Sequence, residues 1–218
     1  MIISGYNIKL HRLKTEDDIE LLRKWRNTTH INQFMEFREI ITKEQQSVWF
    51  QSINNINNNY MIIEYEGKKI GLINGAGIDW DKKTTASGGI FIWDESYWMT
   101  KAPISASILM TDMSSIYGLE KTYIKILKDN KNAIEFNKYL GYEILIDQKK
   151  STNQHYVLQQ NKYELRRKKI FKTLLPEFYL NKVNITFDLD DKVDFFYFKK
   201  SKRKTQTINQ VVITCKES

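Results

Sequence analysis

The stretch KILKDNKNAIEFNKYLGYEI, residues 125–144, gives the clearest indication of the fold. It predicts a strand that stops at Asp129 and a short helix that begins at Asn130 and ends at Gly141. Asparagine is a good N-cap because its side chain accepts a backbone N–H of the first helical turn, and glycine readily adopts the left-handed conformation that ends a helix. A strand therefore leads directly into a helix N-terminus. The strands that neighbour it in the sheet should indicate the function of this strand–helix junction.

The residues just before this stretch predict a parallel pair of strands. Residues 86–93, ASGGIFIW, form one predicted strand, and a helix follows from Pro103 to Gly118, with apolar residues at helical spacing. The next strand runs over residues 122–127. A strand, a helix and a strand of this length form a right-handed crossover, so the two strands should run parallel.

The N-terminal part predicts two helices and an antiparallel meander. A strand is expected over about residues 6–12, then a helix capped by Thr15, and a second helix opened by the capping box of Thr42 and Gln45. Two more strands follow within residues 60–78, joined by a glycine-containing turn. The expected class is α/β (α+β), with a mixed, mostly antiparallel sheet and helices on both faces.

Composition limits the class of protein. With 218 residues, of which 41% are hydrophobic, the chain can form one domain, or one domain with an appendage. It has no apolar segment of membrane-spanning length and no signal-peptide pattern, so we expect no membrane span and a cytoplasmic location. The only cysteine, Cys215, excludes an intrachain disulfide and a thiolate-rich zinc site. The formal charge of +8 favours anionic partners, although lysine is abundant along the whole chain.

Two groups of residues resemble the GCN5-related N-acetyltransferase (GNAT) family. That family usually ends with a strand, then Asn-x-x-Ala-Ile, then Leu-Gly-Phe or Leu-Gly-Tyr. The matching residues are Asn130, Ala133, Ile134, Leu140, Gly141 and Tyr142. The segments WRNTTHINQFMEF, residues 25–37, and ITKEQQSVWF, residues 41–50, are similar to the bacterial branch that acetylates amino groups on nucleotide-linked sugars. The resemblance covers about residues 6–160 and implies a GNAT-like fold, acetyl-CoA as acetyl donor and no metal.

The chemistry of the family explains which residues matter. Acyl transfer from a thioester to an amine needs a neutral amine, a polarised carbonyl group, and a proton or dipole for the departing thiolate. By resemblance, the pantetheine arm pairs with the strand at residues 86–93, and the pyrophosphate lies at the N-terminus of the next helix. The implied cofactor-binding residues are Phe91, Ile92, Trp93, Thr100, Lys101, Ala102, Asn130 and Ala133.

The sequence departs from the family at two positions. The pyrophosphate loop usually reads Gln/Arg-x-x-Gly-x-Gly/Ala, but within residues 97–102 only Ala102 matches, and Thr100 replaces a glycine that lets phosphate approach the backbone. Lys101 adds a positive charge that can compensate. Many relatives carry a tyrosine that protonates the thiolate, and at that position the chain has Asn137, which donates a hydrogen bond but no proton at neutral pH.

The acceptor side is implied by the same resemblance. The implied acceptor-binding residues are Arg26, Asn27, Met35, Phe37 and Arg38. Glu36 and Asp79 are candidate bases, because a carboxylate near a charged amine can take its proton. Arg26 and Asn27 also have a structural interpretation, since capping and surface pairing are common at a helix end.

Residues 161–218 lie outside the acetyltransferase-like domain, which we place at residues 1–160. They predict a helix that ends before Pro176, followed by a β-meander. Its predicted strands are residues 183–189, 193–198 and 207–215. Because so few strands do not easily fold alone, we expect this extension to pack on the domain or on a second copy in a homodimer.

The leading hypothesis is an acetyl-CoA-dependent N-acetyltransferase that acts on the amino group of a nucleotide-linked amino sugar in surface glycan biosynthesis. A protein N-terminal acetyltransferase is an alternative in the same class. The altered loop and Asn137 instead favour a degenerate, non-catalytic GNAT-like binding module. A nucleic-acid binder, led by the basic run at residues 199–204, ranks last because a solvated hairpin turn explains that run more simply.

Overall fold

The computed structural model describes residues 1–148, 150–180, 182–188, 191 and 211–215. The strands are β1 (Ile2–Gly5), β2 (Ile8–Arg12), β3 (Asn58–Tyr65), β4 (Lys68–Ala76), β5 (Ser87–Ile92), β6 (Lys121–Leu127), β7 (Glu143–Ile144), β8 (Asn153–Gln159), β9 (Val183–Phe187) and β10 (Val211–Cys215). The helices are α1 (Glu16–Arg26), α2 (Thr29–Asn32), α3 (Lys43–Ile53), α4 (Ala102–Ile116), α5 (Lys131–Leu140) and α6 (Gln160–Thr173).

The strands form two sheets. A seven-stranded sheet has the order β10-β9-β1-β2-β3-β4-β5, and a three-stranded sheet has the order β6-β8-β7. All neighbouring strands within these sheets are antiparallel except β9 and β10, which run parallel. The predicted α/β class with a mixed, mostly antiparallel sheet is confirmed.

The chain begins with a hairpin that the sequence pattern did not separate. The single strand expected over residues 6–12 is in fact β2, preceded by β1 and a turn at Tyr6 and Asn7. Both turn residues have positive φ, 55° and 60°, which asparagine tolerates but tyrosine rarely adopts. Tyr6 is held there because its ring is buried and its hydroxyl donates to the buried Asp112 carboxylate at 2.7 Å.

Helices cover both faces of the seven-stranded sheet. On one face, α1 and the α2 turn pack on β3 and β4 through Leu22, Ile31, Ile62 and Leu72. On the other face, α4 lies against the sheet with its apolar side chains buried on nearly all sides. The smaller sheet is covered separately by α5, whose alanine and isoleucine side chains pack on β6 and β8.

The two sheets touch at one point and then diverge. A parallel bridge joins Thr84, just before β5, to Lys121 at the start of β6, which confirms the predicted parallel direction. The next contact uses a side chain, since the Thr85 hydroxyl accepts the Tyr123 backbone N–H at 3.0 Å. Beyond this point β5 pairs only with β4, and β6 pairs only with β8. The backbone edges of β5 and β6 that face each other therefore lack a strand partner.

The C-terminal extension packs on the domain. Arg167 of α6 forms a buried ion pair with Asp112 of α4 at 2.7 Å, and the Tyr6 and Tyr163 hydroxyls complete this network. β9 pairs with β1 and so continues the seven-stranded sheet. The described strands differ from the expected meander, because β9 and β10 are direct neighbours and parallel. The strand expected at residues 193–198 and the basic run at 199–204 lie outside the described residues.

Two general features hold within the described ranges. No helix there is long and apolar enough to cross a membrane. No group of three or more His, Cys, Asp or Glu side chains in the same residues is arranged to hold a metal ion.

Candidate active site

A cleft of about 700 Å³ opens between the diverging edges of β5 and β6. Its floor is formed by the strand residues Gly88–Ile92 and Ile124–Leu127, which belong to the two different sheets. The start of α5, the loop before α4, α1, the loop after α2, α3 and β3 also line it. The predicted site residues that line this cleft are Arg26, Met35, Glu36, Phe91, Ile92, Asn130, Ala133 and Asn137.

The β5 edge presents alternate backbone groups to the cleft. The Trp93 N–H donates to the Ile70 carbonyl of the neighbouring strand end at 2.9 Å. Because backbone direction alternates along a strand, Phe91 also points its N–H toward β4, whereas Ile90 and Ile92 point theirs away from β4. The Ile92 carbonyl confirms this direction, since it accepts the Trp98 indole N–H at 2.8 Å rather than a strand N–H. The N–H groups of Ile90 and Ile92 are therefore the ones available to a ligand.

Trp93, predicted to bind the cofactor arm, has its backbone occupied within the fold. Its N–H bonds to Ile70, its carbonyl oxygen lies 2.9 Å from the His30 imidazole Nε2, and its indole N–H donates to the Lys69 carbonyl at 2.9 Å. The ring is buried and stacks on Trp25, with ring centroids 6.0 Å apart and an angle of 7° between planes. Trp93 is thus a core residue that anchors α1 and α2 beside the cleft.

The helix α5 begins as predicted. The Asn130 side chain accepts the Ala133 N–H at 3.1 Å, and Gly141 ends the helix with φ of 105°. Asn137 lies one turn after Ala133 on the same helix and also lines the cleft. Its side-chain amide donates to the Ala133 carbonyl at 2.8 Å, which leaves the second amide N–H and the amide oxygen for a ligand.

The loop before α4 uses several of its own donors. The N–H groups of Tyr97, Trp98 and Thr100 bond to carbonyl groups three residues earlier. The Thr100 hydroxyl donates to the Tyr97 carbonyl at 2.8 Å and accepts the Ala102 N–H at 3.2 Å. A threonine in place of glycine therefore occupies the first donor of α4, which a phosphate would otherwise contact.

Lys101 has a partner on the extension. Its ammonium forms an ion pair with Glu177 at 2.5 Å, and both side chains are partly exposed. The positive charge expected to compensate for Thr100 is thus shared with a carboxylate, which lowers the pKa of Glu177 by hydrogen bonding and charge. Thr100, Lys101 and Ala102 are not among the residues that line the cleft itself, although Trp98, Met99 and Pro103 are.

Arg26 is the most unusual charged group that lines the cleft. Its Nε atom is buried and has no hydrogen-bond partner, and no carboxylate within the described part of the chain forms an ion pair with it. Burial lowers the pKa of the Arg26 guanidinium, and the neighbouring Tyr60 hydroxyl partly opposes that shift. Because a guanidinium stays protonated at neutral pH, the cleft holds a positive charge without a counterion from the described residues.

Glu36 reaches the cleft from the loop after α2. It is the one carboxylate among the described cleft-lining residues. One of its oxygens, Oε2, accepts a hydrogen bond from the Asn153 side chain of β8 at 3.0 Å. The candidate base and the unpaired Arg26 guanidinium therefore line one cleft together with Met35.

Four of the residues predicted for the acceptor side lie away from this cleft. Asn27 uses its amide oxygen and nitrogen to bind the Ile41 N–H and carbonyl, both at 2.9 Å, and so fixes the entry to α3. Phe37 and Arg38 are exposed on the loop and do not line the cleft. Asp79 belongs to an exposed turn, where Lys82 bonds to its carboxylate at 2.8 Å and lowers its pKa. Asp79 does not line the cleft, whereas Glu36, the other candidate base, does.

Other cleft residues were not among the predicted site residues, although Trp49 lies in the segment at residues 41–50 that resembles the nucleotide-sugar branch. Tyr60 and Trp49 form an aromatic wall with ring centroids 5.2 Å apart, and burial raises the pKa of Tyr60. Asn74 of β4 and Asn153 of β8 also line the cleft. The alternation of β8, which buries Gln154, Tyr156 and Leu158, was the signal that could have revealed that strand.

Comparison with known proteins defines the class that this fold and cleft represent. Residues 12–163 match the family model described as the acetyltransferase (GNAT) domain. The chain therefore belongs to the GNAT acetyltransferase family, and its acyl acceptor is not determined by that match. No curated protein matches the chain by sequence.

Solved structures share the fold at low sequence identity. Apo FdhC, a nucleotide-linked sugar GNAT, is 18% identical, with a TM-score of 0.64 over 80% of this chain and 98% of its own. The spermidine N-acetyltransferase from Vibrio cholerae, in complex with CoA and spermine, is 16% identical, with a TM-score of 0.62 over 73% of this chain and 99% of its own. A ribosomal L7/L12 alpha-N-protein acetyltransferase in complex with coenzyme A is 14% identical, with a TM-score of 0.62 over 73% and 98%. At these identities the likeness shows the fold alone.

Proposed function

We propose that the chain is an acetyl-CoA-dependent N-acetyltransferase whose acceptor is the amino group of a nucleotide-linked amino sugar, acting in surface glycan biosynthesis. The observation that carries the proposal is the Arg26 guanidinium, which lines the cleft, has a buried Nε atom without a hydrogen-bond partner, and forms no ion pair with a described carboxylate. A cation without a counterion in a partly dry site favours an anionic ligand. A nucleotide-linked sugar carries phosphates, whereas a polyamine would add positive charge beside Arg26.

The shape and the wall of the cleft support the same acceptor. Trp49 and Tyr60 offer aromatic faces next to Arg26, and such faces suit a sugar ring or a base. One structural neighbour acts on a nucleotide-linked sugar by its own description, while others act on spermidine or on a ribosomal protein. The charge at Arg26 favours the first of these three acceptor classes for this chain.

The donor end has groups that fit a thioester-bearing arm. Acetyl-CoA supplies an activated acetyl group and a thiolate that leaves when the amine nitrogen bonds to the carbonyl carbon. One of the N–H groups of Ile90 and Ile92, which lack strand partners, is proposed to hold the thioester oxygen, and the other to pair with the pantetheine arm. Glu36 is the proposed acceptor of the amine proton, directly or through water. The free amide N–H of Asn137 is the proposed donor to the departing sulfur, which water then protonates.

The experiment is a thiol-release assay with acetyl-CoA and three acceptor classes: nucleotide amino sugars, spermidine, and peptides with a free N-terminus. We expect turnover with a nucleotide amino sugar. Arg26→Met should lower kcat/KM for that acceptor by about tenfold or more, since a hydrogen bond to a charged group contributes about 1.5–3 kcal/mol. The matched control is Lys24→Met, which removes an exposed positive charge from the same helix.

Three results would count against this acceptor. Turnover of spermidine or peptides without turnover of any nucleotide amino sugar would move the proposal to another class. Equal losses in Arg26→Met and Lys24→Met would mean that only the net charge of α1 matters. Silence across the panel with a folded protein would contradict the transferase itself.

A non-catalytic binding module is the second candidate, and the loop before α4 favours it. Thr100 occupies the Ala102 N–H and Glu177 pairs with Lys101, so two groups expected to meet the pyrophosphate are already engaged. Calorimetric titration with CoA separates the two candidates. No measurable binding would favour the module, and binding would favour the enzyme.

A further inference from the structure

A hydrogen bond joins two residues that line the cleft, Glu36 and Asn153. The Glu36 carboxylate belongs to the loop between α2 and α3, and Asn153 belongs to β8 of the three-stranded sheet. The two residues are 117 positions apart in the chain, and their side chains meet at 3.0 Å. The bond therefore connects the two halves of the molecule that the diverging strands separate.

The other side-chain hydrogen bonds of the α2–α3 loop within the described residues come from the loop itself and from the neighbouring helices. Within the loop, the Asn32 side chain bonds to the Arg38 carbonyl, and the Arg38 side chain bonds to the Met35 carbonyl. At the C-terminal end of the loop, the side chain of Asn27, which caps α1, binds the backbone N–H and carbonyl of Ile41. In the described part of the chain, the Glu36–Asn153 bond is the side-chain hydrogen bond that joins this loop to β8.

The chemistry of the donor matters for a base. Asn153 is a neutral amide, so it orients the carboxylate without neutralising its charge, as a lysine or arginine partner would. It bonds to Oε2 only, and Oε1 accepts no hydrogen bond from the described residues. One carboxylate oxygen is thus held in place while the other stays open to an ammonium group or to its proton.

We infer that Asn153 is a positioning residue that holds the Glu36 carboxylate over the cleft and so sets where the acceptor amine binds and loses its proton. This rests on the proposed function only in requiring an amine acceptor. It does not depend on a nucleotide-linked sugar.

The kinetic test uses whichever amine in the three-class panel has the highest turnover. Asn153→Ala should lower kcat/KM for that amine by about tenfold and leave the Kd for acetyl-CoA unchanged. The loss should also appear in kcat at saturating amine, because a misplaced carboxylate slows the removal of the amine proton as well as amine binding. Asn184→Ala is the matched control, since Asn184 is exposed on β9 near the opposite edge of the large sheet.

A double-mutant cycle with Glu36→Gln tests whether Asn153 acts through Glu36. The double variant Glu36→Gln/Asn153→Ala should be no slower than Glu36→Gln alone. Additive losses, an unchanged kcat in Asn153→Ala, or an equal loss in Asn184→Ala would overturn the inference.

A second measurement does not need turnover. Hydrogen–deuterium exchange over residues 33–38 should speed up in Asn153→Ala and stay at the wild-type rate in Asn184→Ala. If exchange in Asn153→Ala is unchanged, the loop is not held by this bond and the inference is wrong. If exchange rises while no amine is acetylated, the proposed function fails and the pinning of the loop stands.

Discussion

Removing the Thr100 hydroxyl is expected to strengthen CoA binding, whereas the removal of a polar side chain at a binding site usually weakens it. Its hydroxyl accepts the Ala102 N–H, the first donor of α4, and donates to the Tyr97 carbonyl. Thr100→Ala removes the hydroxyl and keeps the β-carbon, so the Ala102 N–H becomes available to the pyrophosphate. We therefore expect Thr100→Ala to bind CoA more tightly than the wild type.

The expected gain in CoA affinity is that of one hydrogen bond, from the Ala102 N–H to the pyrophosphate. A hydrogen bond to a charged group contributes about 1.5–3 kcal/mol net, which corresponds to a roughly tenfold or larger decrease in Kd. The loss of the bond to Tyr97 costs little, because Thr100 is exposed and water can replace it. Thr100→Ser keeps the hydroxyl and should bind CoA like the wild type.

Calorimetry measures this directly. Titrations with CoA and with pantetheine separate the contribution of the pyrophosphate from that of the rest of the cofactor. The gain in affinity should appear with CoA and not with pantetheine. Equal Kd values for the alanine and serine variants, or an equal gain with pantetheine, would refute the idea that the Thr100 hydroxyl competes with phosphate.

Three further perturbations test other parts of the structure. Arg167→Met leaves the Asp112 carboxylate buried without its cation, so we expect a loss of about 3–5 kcal/mol in unfolding free energy by urea titration, and recovery on adding Asp112→Asn. Glu177→Gln frees the Lys101 ammonium and should tighten CoA binding by roughly twofold to fivefold at low salt, with the gain lost at high salt. Thr85→Val removes the side-chain acceptor of a β6 backbone N–H where the sheets part, which should cost about 1–3 kcal/mol in the same urea assay.

Local signals predicted the parts of the fold that local chemistry controls. The N-cap at Asn130 and the left-handed Gly141 follow from the properties of those two residues, and both are present. The capping box of Thr42 and Gln45 is present for the same reason. The first hairpin was missed because its turn uses Tyr6, whose positive φ depends on burial and a distant carboxylate.

The candidate site depended more on contacts between distant residues. Glu36 and Asp79 look alike in the sequence, but only the fold places the first beside the cleft and the second in an outer turn. In the sequence, Trp93 fits the cofactor-binding strand as well as Phe91 and Ile92 do. In the structure, Trp25 stacks on Trp93, which makes Trp93 part of the core. The pairing of Glu36 with Asn153 spans most of the chain, so no local pattern could have indicated it.

The central claim is that the unpartnered edge of β5 receives the thioester-bearing arm of acetyl-CoA. Amide exchange at single residues, followed by NMR with and without acetyl-CoA, tests it most directly. The account predicts strong protection of the Ile90 and Ile92 amides on binding, with little change at Phe91, whose N–H already faces β4. Binding that leaves both isoleucine amides unprotected, or no binding at all, would contradict it.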